Sequence, residues 1–319
     1  MTYAKILGTG SYLPEKRLAN TDLDPALNTS DAWIFERTGI RARRIASEQE
    51  TVSTMAKEAS LRALSAAGIA ASAVDMIIVA TCSQENFFPS SACLLQSLLG
   101  IEAAIPAFDV SAACAGFIYA LVTAEQFIKN GMVKTALIVG SETMSRTVDW
   151  NDRSTCVLFG DGAGAVILQA SDEPGVLCSK LHAQGYYKDL LILPNEMTSP
   201  SLKSKYMQMR GNEVFKIAVR SLEEVVEEIL EEHKIAKEDI QWLVPHQANL
   251  RIIAAMAKKL NMDLERVILT IGEHGNTSSA SIPLALDAGV RDGRIQRGEH
   301  LLLESFGGGL AWGATLIKY

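Results

Sequence analysis

The chain has 319 residues, of which 48% are hydrophobic, and a formal net charge of −7. This length exceeds that of a typical single-core domain, and the apolar content supports a large globular core, which excludes a disordered protein. The negative charge argues against general affinity for nucleic acid or anionic membrane. The N-terminal sequence MTYAKILGTGSYLP is unlike a secretory signal, and no apolar run reaches the roughly 18 residues of a membrane span. We therefore expect a cytoplasmic protein.

Apolar runs of strand length alternate with segments of helical length along the chain. The runs at 76–80 and 136–140 predict buried strands, and helices are predicted over 54–67, 114–130 and 214–233. This alternation is typical of an α/β fold with buried sheets. No Pro/Ser-rich linker separates the parts, so we expect them to pack tightly against each other.

Two similar Gly-rich turns suggest an internal duplication. FGDG at 159–162 precedes AGAVIL, and FGGG at 306–309 precedes LAWGATLI, so each turn enters a predicted strand. A segment starting Ser-Leu precedes a strand in each half as well. Unrelated βα units can share such patterns through composition, and both explanations remain open. We place the boundary near residue 171, which divides the chain into 1–171 and 172–319.

The five cysteines form an odd set without a CxxC pair. Each lies among small or apolar residues, which suits a reducing compartment. Neither a disulfide framework nor a zinc site is expected. The cysteines are Cys82, Cys93, Cys114, Cys156 and Cys178.

Cys114 lies in DVSAACAGF, between a predicted strand and a helix that Asn130 and Gly131 end. At such a turn, unpaired N–H groups and the helix dipole favour the thiolate, so the position predicts a lowered pKa and a usable nucleophile. Most free cysteines are instead small core residues. By itself the segment therefore favours a structural cysteine.

Two polar residues in the second half are candidates for holding a second substrate. His246 follows a predicted buried strand in VPHQAN, and Asn276 lies in the Gly-containing loop EHGNTSS. Taken singly, a histidine beside a strand is usually structural, and an asparagine before a helix is usually a cap. A cysteine nucleophile together with both polar groups is much less common by chance.

The whole chain resembles the β-ketoacyl-[acyl-carrier-protein] synthase III family. The resemblance implies a thiolase-like fold, in which two duplicated halves form a five-layered αβαβα sandwich. It extends from end to end through motifs in the family's order: GTGSYLPE, TSDAWIFERTGIRAR, FPSSAC, DVSAACAGF, FGDGAGA, GNEVFK, VPHQANLRII, HGNTSSASIP and FGGGLAWG.

The resemblance implies a Cys-His-Asn triad of Cys114, His246 and Asn276. Cys114 would accept an acyl group from coenzyme A, and the other two residues would stabilise the enolate formed from malonyl-acyl-carrier protein. The implied oxyanion donors are the backbone N–H groups of Cys114 and Gly308. A neutral imidazole suits the enolate role better than an imidazolium.

The resemblance also implies ligand and partner contacts. Coenzyme A is expected as a thioester substrate, with no permanently bound cofactor and no metal. Phe88 matches a position that reaches the partner's acyl pocket, so a homodimer is implied, although an ordinary core aromatic is the alternative. The implied coenzyme A contacts are Trp33, Arg37, Thr38, Arg153, Gly211, Phe215 and Asn249.

A basic patch is predicted for the acidic acyl carrier protein. Arg251 and Lys258 are seven residues apart on one helix, Lys259 is adjacent, and Lys216 can join them from the GNEVFK segment. A solvated helix face is the alternative. Arg210 lies beside Gly211, one of the implied coenzyme A contacts, and the sequence leaves open whether it alters acyl or carrier preference.

Related functions remain as alternatives. A biosynthetic thiolase would need a second catalytic cysteine, but no cysteine follows Cys178, and an elongating synthase would carry histidine where Asn276 stands. Chalcone-synthase-like and quinolone-type enzymes share the triad but take the extender unit from coenzyme A, and a longer primer is possible in any of these. A non-catalytic paralogue is the alternative from another class, against which the intact triad argues.

Overall fold

The computed structural model describes residues 2–195, 197 and 204–319. The strands, in chain order, are β1 (Tyr3–Tyr12), β2 (Arg17–Ala19), β3 (Ala42–Arg44), β4 (Met76–Ala80), β5 (Ala107–Val110), β6 (Thr135–Thr143), β7 (Asp161–Ser171), β8 (Val176–Ala183), β9 (Leu191–Ile192), β10 (Gln208–Met209), β11 (Trp242–Pro245), β12 (His300–Gly307) and β13 (Ala311–Lys318). The helices are α1 (Asp31–Thr38), α2 (Val52–Ala67), α3 (Ser91–Leu98), α4 (Gly116–Lys129), α5 (Gly211–His233), α6 (Leu250–Lys259), α7 (Ile271–His274) and α8 (Ser281–Arg291).

The predicted elements are present, with shifted ends. The strand at 76–80 is β4, and the helix predicted from 54 begins two residues earlier because the Thr51 side chain caps it. The helix predicted from 114 begins at Gly116, since residues 113–115 form a 3-10 turn that contains Cys114. The predicted nucleophile therefore lies just outside the regular helix.

The two main sheets have matching topology. In the N-terminal sheet the strand order is β1-β7-β6-β4-β5, and in the C-terminal sheet it is β8-β13-β12-β11. Along both orders the first two pairings are antiparallel and the third is parallel. This correspondence favours a duplicated fold. The boundary at residue 171 remains a prediction, and it coincides with the end of β7.

The elements stack in five layers, as the α/β sandwich expectation requires. Helices α2 and α3 cover the outer face of the N-terminal sheet, while α4 and α8 contact both sheets from between them. Helix α5 covers the C-terminal sheet, and α6 packs beside α5. Separate apolar clusters fill the spaces on either side of each sheet, so the central strands β4, β6 and β12 are screened from water on both faces.

This architecture brings three chain segments to one place. The turn that contains Cys114 follows β5, the His246 segment follows β11, and the Asn276 loop connects α7 to α8. Ligand sites in sheets of this kind form beyond the carboxyl ends of parallel strands. Within the described residues, no helix is both long and apolar enough to cross a bilayer.

Candidate active site

Cys114 is held in a constrained turn at the N-terminal end of α4. Ala113 has a positive φ of 46°, an uncommon conformation for a residue with a side chain. The Ser305 hydroxyl donates a 2.7 Å hydrogen bond to the backbone carbonyl of Cys114. Gly307 lies so close that a Cβ atom on it would be 2.6 Å from the Cys114 nitrogen. The carboxyl end of β12 therefore fixes the backbone of Cys114.

The prediction of a lowered Cys114 pKa is wrong for the chain without a ligand. Burial raises the pKa of Cys114 to about 12, a hydrogen bond with Ser278 lowers it, and the charge of nearby Glu142 raises it again. Because Cys114 is only 8% exposed, loss of hydration outweighs the favourable helix end. Cys114 is therefore a thiol at neutral pH.

His246 follows β11 and is positioned by its backbone and its ring. Its N–H donates a 2.8 Å hydrogen bond to the carbonyl of Glu304, and its Nδ1 lies 2.9 Å from the Ser281 hydroxyl. That hydroxyl oxygen accepts the Gln247 N–H at 2.6 Å, and within the described residues Nδ1 is the acceptor found for its own proton. In this arrangement Nδ1 accepts, and the ring proton lies on Nε2.

The imidazole of His246 is neutral at physiological pH. Burial lowers the pKa of His246 to about 3. A neutral ring with its proton on Nε2 is a hydrogen-bond donor without a positive charge. This agrees with the neutral imidazole expected from the sequence.

Asn276 is oriented by hydrogen bonds on both sides of its loop. Its Oδ1 accepts the Ser278 N–H at 2.9 Å, which leaves Nδ2 as the side-chain donor available to a ligand. Its backbone N–H donates to the Leu158 carbonyl at 2.8 Å, and its carbonyl accepts the Gly160 N–H at 3.0 Å. The FGDG turn of the N-terminal half therefore holds an asparagine of the C-terminal half.

A single cavity of about 360 Å³ connects these groups to the surface. The sequence-predicted triad and all seven predicted coenzyme A contacts line it together. These residues are Trp33, Arg37, Thr38, Cys114, Arg153, Gly211, Phe215, His246, Asn249 and Asn276.

The mouth of the cavity is cationic and aromatic. The guanidinium groups of Arg37 and Arg153 lie 4.5 Å and 5.3 Å from the centroid of the Trp33 ring. Arg251 lies 5.6 Å from the Phe215 ring, so this predicted carrier contact also lines the cavity. Such a mouth matches the phosphates and the flat base of a nucleotide.

Two of the side chains predicted to contact coenzyme A form hydrogen bonds within the chain. The Thr38 hydroxyl donates to the Ile34 carbonyl at 2.7 Å. Asn249 Nδ2 donates to the Arg37 carbonyl at 3.0 Å, while Asn249 caps α6 through the Arg251 N–H. These two side chains therefore shape the mouth through the backbone that they hold.

The predicted oxyanion donors occupy different positions relative to the cavity. Gly307 lines the cavity and packs on Cys114, whereas Gly308 lies in the adjoining turn against Ala113 and Leu191. The assignment of Gly308 remains a prediction. No signal in the three consecutive glycines of FGGG distinguishes one from another.

Phe88 is not a core aromatic, since it is 87% exposed. Phe87 is 58% exposed beside it and borders a second surface cavity together with Cys82 and Ser111. The alternative of an ordinary core residue is therefore wrong. The homodimer implied by the resemblance stays a prediction.

The four residues predicted to contact the carrier protein are exposed, but one of them is already paired with a carboxylate. Lys259 forms an ion pair with Glu223, while Lys216, Arg251 and Lys258 lie on the surface of α5 and α6. Arg210, just before α5, lies 3.8 Å from Glu213, and its neighbours Met209 and Gly211 line the cavity.

Sequence reasoning missed two polar residues of the site. Ser281 orients His246, and Glu304 lines the cavity from β12. A glutamate within the apolar run LLLESFGG was an available signal, because charged residues are almost never buried without a partner. Ser281 carried no signal, since its role depends on a contact 35 residues away in the chain.

Comparison with known proteins identifies the family. The model for 3-oxoacyl-[acyl-carrier-protein] synthase III matches residues 108–185, and the model for the C-terminal part of the same enzymes matches residues 230–319. β-Ketoacyl-[acyl-carrier-protein] synthase III from Alkalilimnicola ehrlichii is 54% identical, with full coverage of both chains. The chain belongs to the 3-oxoacyl-[acyl-carrier-protein] synthase III family.

Other members of the synthase III family extend this similarity. The enzyme of that name from Neisseria meningitidis serogroup A is 55% identical, with full coverage of both chains. The crystal structure of the synthase III from Aquifex aeolicus superposes with a TM-score of 0.94 at 47% identity, covering 99% of this chain and 100% of that chain. The thiolase-like fold of the family is thereby established for this chain.

Proposed function

We propose that this chain transfers an acyl group from coenzyme A to Cys114 and condenses it with a malonyl unit carried by acyl carrier protein. The observation that supports this most directly is the single cavity that joins a thiol, two uncharged hydrogen-bond donors and a cationic mouth. Family membership supports the same reaction, which starts type II fatty acid synthesis.

In the first half-reaction, the Cys114 sulfur attacks the thioester carbonyl and coenzyme A leaves as the thiol. The proton lost from Cys114 balances the proton gained by the coenzyme A sulfur. Backbone N–H groups at the start of α4 and in the glycine turn stabilise the oxyanion. The nucleotide end binds near Trp33, where Arg37 and Arg153 meet its phosphates.

In the second half-reaction, the malonyl thioester loses CO₂ and its enolate carbon attacks the acyl-Cys114 thioester. His246 Nε2–H and Asn276 Nδ2–H donate to the enolate oxygen, which stabilises charge that develops only during the reaction. The sulfur of Cys114 leaves and regains a proton. Each turnover therefore consumes one proton and yields a 3-oxoacyl carrier protein, CO₂ and coenzyme A.

The assembly and partners form part of the proposal. The exposed Phe88 supports a homodimer in which this ring meets the acyl pocket of a second copy. The cations on α5 and α6 support docking of an acidic carrier protein in the cytoplasm. Acetyl-CoA is the proposed primer, as the family resemblance implies.

Intact-protein mass spectrometry tests both half-reactions. Mixing with acetyl-CoA is expected to add one acetyl group, which malonyl-acyl-carrier protein then removes as acetoacetyl-carrier protein forms. Cys114→Ser should lose the adduct, whereas Cys93→Ser, which alters an exposed cysteine, should keep it. An adduct formed only with longer acyl-CoA would change the primer. No adduct with any acyl-CoA would refute the proposed function.

A further inference from the structure

Glu304 is a buried carboxyl group inside the reaction cavity that the proposed mechanism does not use. It is 1% exposed and lines the same cavity as Cys114, His246 and Asn276. Its Oε2 atom has no hydrogen-bond partner in the part of the chain that the structure describes. Leaving a buried polar atom unpaired is costly, so such an atom calls for an explanation.

The position of Glu304 in β12 determines which way its side chain points. Leu302 and Phe306, two residues to either side, belong to the apolar cluster beneath α5 and α6. Because side chains alternate along a strand, Glu304 projects to the same face. Its neighbours across the sheet are Pro245 on β11 and Ala314 on β13, neither of which has a side-chain donor.

Among the residues that the structure describes, the groups around Glu304 offer it no positive charge. Helix α5 contributes Ala218 and Leu222 to the cavity wall, and α6 contributes Ile253. The titratable or charged side chains that line the cavity besides Glu304 are Arg37, Cys114, Arg153, His246 and Arg251. The three arginines stack on aromatic rings at the mouth, and the backbone of His246 donates to the Glu304 carbonyl.

Burial raises the pKa of Glu304 to about 8. At neutral pH the side chain is therefore mainly a carboxylic acid, with one O–H donor and one carbonyl acceptor. Ionisation above this pH would place an uncompensated negative charge in the wall of the cavity.

We propose that Glu304, as a carboxylic acid, hydrogen-bonds an amide of the pantetheine arm of the thioester substrate and so positions that arm in the cavity. This inference rests on the proposed function, which brings such an arm through the cavity. The amide nearest the sulfur is separated from it by two methylene groups, so it lies close to Cys114 when the thioester reacts. A carboxylic acid can donate to the amide carbonyl or accept from the amide N–H.

Direct binding of desulfo-coenzyme A tests this contact, because that ligand keeps the pantetheine amides and has no thiol to titrate. Calorimetry at pH 7 and pH 9.5 is expected to show wild-type affinity falling at least about tenfold at the higher pH. Glu304→Gln, which stays neutral, should bind about equally at both pH values. Glu304→Met, similar in size but with no carboxyl donor or acceptor, should bind more weakly at both.

Controls separate this contact from general effects. Glu265→Gln, an exposed change remote from the cavity, should follow the wild type at both pH values. Thermal unfolding identifies any variant that fails to fold. If Glu304→Met does not fold, the comparison of wild type with Glu304→Gln still tests the proposal. Wild-type affinity in Glu304→Met, or the same pH dependence in wild type and Glu304→Gln, would overturn the proposal. Since binding requires no acyl transfer, failure of Cys114 acylation would refute the proposed function separately.

Discussion

The Ser281 hydroxyl lies 2.9 Å from Nδ1 of His246 and accepts the Gln247 N–H at 2.6 Å. This contact assigns the imidazole proton to Nε2, on the side that can face a substrate. Helix α8 thus determines which ring nitrogen of a residue beyond β11 can donate to an enolate. Tautomer control of this kind is as important to a histidine's function as its position.

Ser281→Ala is expected to slow condensation about tenfold, the effect of roughly 1.4 kcal/mol of lost stabilisation. Without the hydroxyl, the ring can rotate or place its proton on Nδ1. Cys114 acylation should change little, and Ser281→Thr, which keeps a hydroxyl, should retain most of the condensation rate. Rapid-quench measurement of the two half-reactions checks this. Equal slowing of both steps by the alanine variant would contradict the assigned role.

Protonation of His246 should not lower the rate of condensation between pH 8 and pH 5. The pKa of His246 is lowered to about 3, so the ring stays neutral on acidification until well below this range. The check is single-turnover decay of acyl-Cys114 with malonyl-acyl-carrier protein as a function of pH. His274→Gln provides a control, because this partly buried histidine also has a lowered pKa but does not line the cavity. An apparent pKa near 6.5 that disappears in His246→Gln would contradict a neutral ring.

Alkylation of Cys114 by iodoacetamide should accelerate continuously with pH through pH 9. Since the pKa of Cys114 is raised to about 12, the thiolate fraction grows about tenfold per pH unit over this range. Peptide mass spectrometry can follow Cys114 with the exposed Cys93 as an internal comparison. A plateau below pH 8 would show that the helix end, not burial, dominates.

Arg37→Ala is expected to raise the KM for acyl-CoA about tenfold while leaving the maximal rate of acylation nearly unchanged. The guanidinium contributes to binding at the mouth, remote from the bond that breaks. Arg41→Ala is the matched control, because Arg41 stacks on Phe35 and pairs with Asp31 rather than lining the cavity. A fall in the maximal rate without a change in KM would contradict a binding role.

Gly307→Ala should abolish acylation, because the added Cβ would lie 2.6 Å from the Cys114 nitrogen and 2.9 Å from its Cβ. The backbone of the nucleophile turn would have to move, and small displacements are costly in catalysis. Gly272→Ala is the control, since the nearest atom to its added Cβ is an ordinary 3.7 Å away. Acylation and thermal unfolding measured together separate a displaced nucleophile from a misfolded chain.

The amino-acid sequence by itself determined the α/β class, the family, and the residues that meet in the cavity. Cys114, His246 and Asn276 lie in motifs that follow the order found in the family, so their positions in the site could be predicted without coordinates. The residues predicted to contact coenzyme A followed in the same way, and all seven line one cavity. Local signals such as Asn130-Gly131 also located where α4 ends.

Only the tertiary structure decided the protonation states of these residues. Hydration, hydrogen-bond partners and neighbouring charges determine a pKa, and here they come from segments far apart in the chain. For this reason Cys114 is a thiol despite its helix end, and Ser281 assigns the His246 tautomer. For the same reason Glu304 is a neutral acid group in the cavity wall, because packing of β12 between β11 and β13 beneath two helices removes its water.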